Sequence, residues 1–277
     1  LDPILQRLST SRCYLHRIET QQLKTKRPAM RTDPQFIKLI VVALSLAVMA
    51  AGIAREAFVL EFGVGTLLQD LRQFDLDSEN SVPAWWSSSL MLLAALMLYR
   101  LGAEARPRGD RLWLFWVALA AAFFLLSIDE AASFHEGVIE PLKAAFGFGG
   151  ALYYAWVVPA VICLVVFGLL LLPLLQLVPT GLKWRLVICG AIFVTGALGM
   201  EMVGGWLDFE GLRPTPVYAL VTTVEEGLEI LGLSLFLSAL LDQFDPNRAV
   251  VGIRAVQRAA AAQPPVPHLG QYPVAAE

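Results

Sequence analysis

The chain has 277 residues, 57% of them hydrophobic and only 16% charged, well below the roughly 25% charged residues usual in soluble domains. That balance excludes an ordinary soluble domain, and no basic patch with interleaved aromatics points to nucleic acid. The net charge of −3 says little, because the charges are sorted by position. Cys13, Cys163 and Cys189 form neither a disulfide framework nor a C-x-x-C metal motif. The last two fall in apolar runs, as small packing residues do.

Residue 1 is Leu, and the first methionine is Met30, just before the first apolar run. Residues 1–29 read either as translated upstream sequence or as a cytoplasmic tail on a chain lacking its start. They lack the apolar stretch of a signal peptide, so the first span is expected to serve as an uncleaved anchor. Six runs follow that are long enough to span a bilayer as helices, which takes about 20 residues: Phe36–Ala54, Ala84–Gly102, Leu112–Ile139, Ala151–Val178, Leu186–Leu207 and Val217–Phe244. The third is amphipathic at its end. The expected fold is all-α: a polytopic membrane helix bundle of about six transmembrane helices, in one domain over 36–244. A basic cytoplasmic tail over 1–35 precedes it. A disordered tail over 245–277, with Pro264, Pro265, Pro267 and Pro273, follows.

Positive residues concentrate on cytoplasmic loops. With both termini inside, 17 of the 21 basic residues fall on the inner side, and the outer side keeps only Arg55, Arg72, Lys143 and Arg213. An odd number of spans would spoil that sorting. In the outer connection from Glu56 to Pro83, Phe58, Leu60, Leu67, Leu68, Leu71 and Phe74 predict an amphipathic piece lying on the membrane. Trp85 and Trp86 suit the interface. Asp75, Asp77 and Glu79 alternate as in a calcium loop. Asn80 stands where that loop needs glycine, however, and no glutamate follows at its twelfth position. A polar turn, with Ser81 or Asn80 before a helix begun near Pro83, is the favoured reading.

The acids are sorted the other way: 16 of 24 lie on the outer side or in outer halves of spans. At the end of the third span, a continued helix puts Asp129, Ser133 and Glu136 on one stripe. Glu130 then lies about 100° around from Asp129, and His135 points elsewhere. The bland alternative is a helix end reaching water. In the sixth span Glu225, Glu226 and Glu229 share a face with Thr222 above them, Glu229 roughly 18 Å deep. Protonated acids bonded within the bundle are the alternative there. The fifth span contributes Glu201, with Gly190, Ala197 and Gly204 on a stripe that allows close helix approach. A lone interfacial anchor is the alternative for Glu201.

The base sorting and the acid sorting thus agree on a common depth for Asp129, Glu130, Glu136, Glu201, Glu225, Glu226 and Glu229. The nearby positive charge expected is Arg55, with His135 as a further possibility. So many carboxylates cannot all ionise against one arginine, and protons or a metal cation must make up the difference. The metal candidates are Asp129, Glu130, His135, Glu136, Glu201, Glu225, Glu226 and Glu229. Zn, Fe, Mn, Mg and Ca are not distinguished. With His16 and His268 on the inner side, a three-histidine zinc site within one chain is excluded. The paired Glu-x-x-His motifs of helical di-iron sites are absent.

The motifs Asp75-x-Asp-x-Glu-x-Ser-x-Pro-x-Trp and Ser127-Ile-Asp-Glu-Ala-Ala-Ser-x-His-Glu resemble those of a family of uncharacterised bacterial multi-pass membrane proteins. The resemblance covers most of the membrane domain and implies a bacterial cytoplasmic (inner) membrane location. Membrane hydrolases of the alkaline ceramidase type also cluster acids, serine and histidine in spans. This chain lacks their several histidine ligands, so that activity is not carried over.

Three functions compete. The first is a divalent-metal-binding membrane protein that could be a metalloenzyme acting on a lipid or periplasmic substrate, with Glu130, Glu136 and His135 as catalytic candidates. The second is a proton- or cation-coupled transporter, which the almost wholly apolar inner halves of the spans disfavour. The third is a structural or assembly subunit whose acids pair with a partner's bases. Partners expected are the lipid bilayer and either another membrane protein or a second copy of the chain.

Overall fold

The computed structural model describes residues 33–63, 71–213 and 215–245. Among them every regular element is helical. The long helices are α1 (Pro34–Phe62), α2 (Val82–Ala105), α3 (Leu112–Ala132), α5 (Val157–Leu175), α6 (Thr180–Val194) and α8 (Pro216–Phe244). A short helix α4 (Ile139–Phe146) lies between α3 and α5. A π-helical turn (Thr195–Met200) joins α6 to α7 (Glu201–Phe209) without a break. Five runs are long and apolar enough to cross a membrane: Pro34–Phe62, Val82–Arg108, Leu112–Ala132, Val157–Leu175 and Thr180–Phe209. The sixth long helix, α8, has 29 residues and packs against α1, α2, α6 and α7.

Three of the long helices start on the same local device. Asp33, Ser81 and Thr215 each cap the helix that follows with a side-chain oxygen, on Gln35 N, Ala84 N and Tyr218 N respectively. Each has a proline in the first turn. The polar-turn reading of residues 75–81 therefore holds, with Ser81 as the cap.

The helices alternate in direction, as their end contacts show. Lys38 at the start of α1 and Arg185 at the start of α6 both bond Asp242 at the end of α8. Arg100 near the end of α2 stacks over Phe244. These residues mark a basic end of the bundle. At the opposite, acidic end, Arg55 of α1 pairs with Asp75 at 2.9 Å and with Glu56. Between the ends runs an apolar core in which Leu90, Leu98, Trp116, Leu237 and Leu240 are fully buried. By contrast α5, with a mean hydropathy of 2.9, buries only 6% of its apolar stretch. Such a surface needs lipid around it.

Several expectations change. The third helix does not continue to Ile139: it stops at Ala132, and Ser133 turns left-handed at φ 54°. The cause is local competition for the backbone. Asp129 accepts bonds from the His135 amide at 3.0 Å and ring at 2.9 Å, pulling the chain out of the helix. Asp129, Ser133 and Glu136 therefore do not form one stripe, and His135 folds back instead of pointing away. The fourth span starts at Val157, not Ala151, because a short 3-10 turn (Gly150–Leu152) comes first. The first helix extends to Phe62, so Phe58 and Leu60 are helical; Leu67 and Leu68 lie outside the described residues, as do the two tails. On the glycine stripe, Gly190 meets nothing within 4 Å. The close approach is made by Gly196 and Gly232. A Cβ at Gly196 would lie 2.8 Å from the Glu225 carbonyl oxygen, and one at Gly232 would lie 2.7 Å from the Phe193 nitrogen.

Candidate functional site

The acidic end holds a cavity of about 360 Å³. Its walls come from the turn before α2, the end of α3, α4, the turn before α5, α7 and the start of α8. Of the sequence-predicted residues, Glu130, His135, Glu136, Glu201, Glu225 and Glu226 line it. Asp129 stands behind His135. Glu229 sits one turn deeper, 8% exposed, with its side chain against Gly196.

How the acids come together follows from three backbone features. The break at Ser133 brings His135 and Glu136 back over Glu130. The π turn ends where Glu201 begins, offsetting α7 from the straight path of α6; π turns recur at functional sites. Gly196 lets that turn press on the backbone of α8, and Glu201 and Glu225 line the same cavity. Carboxyl groups gathered in this way need shared protons or a bound cation among them.

His135 is a base set among the cavity's acids. Its Nδ1 faces Asp129 Oδ2 at 2.9 Å and its Nε2 faces Glu79 Oε1 at 3.2 Å. The ring packs on Trp156 with centroids 4.6 Å apart, and Trp156 Nε1 donates to Glu201 Oε1 at 2.7 Å. Burial alone would lower the histidine's proton affinity, but its bonds to Asp129 and Glu79 outweigh that and push it up to about 10. His135 is therefore a fixed cation at neutral pH. Burial, followed by the Glu79 charge, raises the Glu136 carboxyl above its ordinary value.

A ring of polar groups that the sequence reading did not find frames the cavity. Tyr154 donates to Asp208 at 2.9 Å and lies 3.0 Å from the Tyr218 hydroxyl. Tyr218 donates to Asp77 at 2.8 Å. Arg213 closes the ring on Asp77 at 2.8 Å and on Asp208 at 3.4 Å. The turn that carries Asp75, Asp77 and Glu79 is thereby pinned, with Leu76 buried against Gly52. Those three acids point to three different bases, Arg55, Arg213 and His135, and do not converge as calcium ligands would. Arg55 does not line the cavity, contrary to expectation. The bases that do, besides His135, are Lys143 and Arg213, and both are held by acids of their own. The only sequence signal for this ring was the outer placement of Arg213 and the Asp77 spacing. The tyrosines gave none.

The charge balance in the interior is one-sided. Glu226 shares the lining with Glu130, Glu79, Glu201 and Asp77. Glu79 Oε2 and Glu226 Oε2 are both enclosed and have no hydrogen-bond partner. An unbonded buried carboxylate oxygen costs more than a neutral one. Among the described residues, no three His, Cys, Asp or Glu side chains are arranged to hold a metal ion.

Fold and cavity together define an all-helical protein with membrane-capable helices and a polar, acid-lined chamber at one end. Residues 38–244 match the family described as Domain of unknown function (DUF8692), and the chain belongs to that family. No curated protein and no solved structure matches it.

Proposed function

We propose that this protein is a six-span membrane protein of a bacterial inner membrane, with both termini inside, whose acidic chamber faces outward and takes up a cation in exchange for protons. One observation carries the reading. Glu130, Glu201, Glu225 and Glu226 share one cavity whose bases, His135, Lys143 and Arg213, are each already engaged by other acids. Ionised carboxylates so placed need a counter-charge, and intramembrane acids of this kind mark ion or proton sites. Support for the orientation comes from the 17 of 21 basic residues sorted to the other side. Two kinds of occupant meet the charge requirement. One is a divalent metal ion, suited to an oxygen-rich lining; the described carboxylates would have to close around it. The other is an ammonium ion. The packed core beneath the cavity favours a one-ended site over a conduit.

The test is proton release. Detergent-purified protein in weak buffer is titrated with a panel of inorganic and organic cations while released protons are counted. Saturable release, reduced in Glu225→Gln/Glu226→Gln, is expected. No release with any cation across the panel would refute the reading.

A further inference from the structure

We infer that the occupant of the chamber is a small aliphatic ammonium ligand, an amine or diamine, in preference to a bare metal ion. This rests on the cation reading above and narrows it. Three observations carry the inference. The first is room: about 360 Å³ is the space of about a dozen waters at roughly 30 Å³ each. It falls at the small end of organic-ligand pockets, which run from roughly 300 Å³ upward. A bare ion leaves most of that space empty, and no three His, Cys, Asp or Glu side chains among the described residues are gathered for one.

The second is the lining. Tyr153, Tyr154 and Tyr218 stand beside the carboxylates, and aromatic faces favour ammonium ions but add nothing to a hard metal ion's coordination. The protein's own Lys143 shows the arrangement at the rim. Its ammonium lies 3.7 Å from the centre of the Tyr153 ring and 2.9 Å from Glu140 Oε1. Arg213 lies over the Tyr218 ring in the same way, 5.7 Å from its centre, so the protein's own cations already pair with these tyrosines at two points of the lining.

The third is the floor. Glu226 Oε2 is enclosed without a hydrogen-bond partner on a residue that lines the cavity. An ammonium group carries three donors on one positive charge, enough to bridge the Glu226 carboxyl and a neighbouring one once the Glu226 side chain turns Oε2 toward the cavity. Tyr218 and Glu226 are eight residues apart on α8, about 12 Å along its axis. That length admits a ligand with an apolar body between floor and rim.

Calorimetry on the full chain in nanodiscs decides it, with 1,4-diaminobutane, butylamine, Mg²⁺ and Mn²⁺ as probes. Thermal melts of each variant report folding. The expected result is saturable binding of at least one amine with proton release, undiminished by equimolar Mg²⁺ and weakened roughly 10-fold or more in Glu226→Gln. Binding of Mg²⁺ or Mn²⁺ with no amine binding overturns this inference and leaves the cation reading standing. Silence from all four probes together with no proton release overturns both. Amine binding that is unchanged in a folded Glu226→Gln overturns the site. Glu225→Gln is read beside it and decides the same point if Glu226→Gln gives no folded protein.

Discussion

Replacing Gly196 with alanine tests how the two acid-bearing helices are held together. The added methyl would sit 2.8 Å from the Glu225 carbonyl oxygen and 3.1 Å from the Glu229 nitrogen. Both are backbone atoms inside α8, so neither can rotate aside. Overpacking a core position costs ~1–3 kcal/mol, and rigid neighbours put this case near ~3 kcal/mol. Alanine's better helix propensity offsets about 1 kcal/mol, leaving a net loss of ~2 kcal/mol. Gly190, on the same run, meets nothing within 4 Å, so Gly190→Ala gains the propensity alone. A chain of this size shifts its melting point by about 2–4 °C per kcal/mol. Gly196→Ala should therefore melt ~4–8 °C below wild type, and Gly190→Ala ~2–4 °C above it. Tryptophan fluorescence on heating, with the three proteins purified side by side in one detergent, reads both shifts. If Gly196→Ala melts with wild type or above it, the close packing of the π turn on α8 is wrong, and with it the approach of Glu201 to Glu225.

Two further perturbations probe the ends of the bundle. His135 keeps its proton in the folded protein up to about pH 10, against an ordinary value of 6.5. A raised value stabilises fully below the ordinary pKa and loses its effect as pH rises through the folded one. The gap in melting point between wild type and His135→Gln should thus shrink between about pH 7 and pH 10.5, and a gap that stays flat would contradict the charged bridge to Asp129 and Glu79. At the basic end, Asp242 is 5% exposed and bonds Lys38 and Arg185. Removing one partner of a buried ion group costs ~3 kcal/mol or more, so Asp242→Ala should lower the melting point by about 6–12 °C; no shift would show that the clasp does not hold the helices.

The helices were largely readable because apolar length is a one-dimensional signal. Five of the expected runs reappear as membrane-capable helices, and the sixth as the buried centre of the bundle. The site was readable in part. Glu130, Glu201, Glu225 and Glu226 were visible as charges where charges are costly, and they do share a cavity. What failed was any inference that assumed a helix kept its period. The run through Ser133 looked helical, but Asp129 captured the His135 amide and ended it. The Tyr154–Tyr218–Asp77–Arg213 ring was invisible for a different reason. Its members are separated by up to 141 positions, as in the Tyr218–Asp77 bond, and tyrosines near a membrane interface are common enough to need no further role. Gly196 and Gly232 escaped because a glycine's contact partner is set by the neighbouring helix, not by its own stripe.

The packed core beneath the chamber has an electrical consequence. Under the proposed function, a cation coming from the acidic end stops at Glu226, ten residues into the 29-residue α8, about 15 Å along its axis. The remaining two-thirds of that helix runs through packed protein, with Leu237 and Leu240 fully buried, and in a spanning bundle most of a transmembrane potential falls across it. Each charge that settles on the floor therefore crosses about a third of the field, ~0.8 kcal/mol per 100 mV out of the roughly 2.3 for full passage. With the chamber outward, as proposed, and the cell interior negative, a monovalent cation taken up without loss of a proton is held about fourfold more tightly per 100 mV. A proton leaving by the same route feels the opposite pull, so a one-for-one exchange is blind to the potential. Occupancy of such a chamber follows the membrane potential only where cation charge taken up exceeds proton charge released.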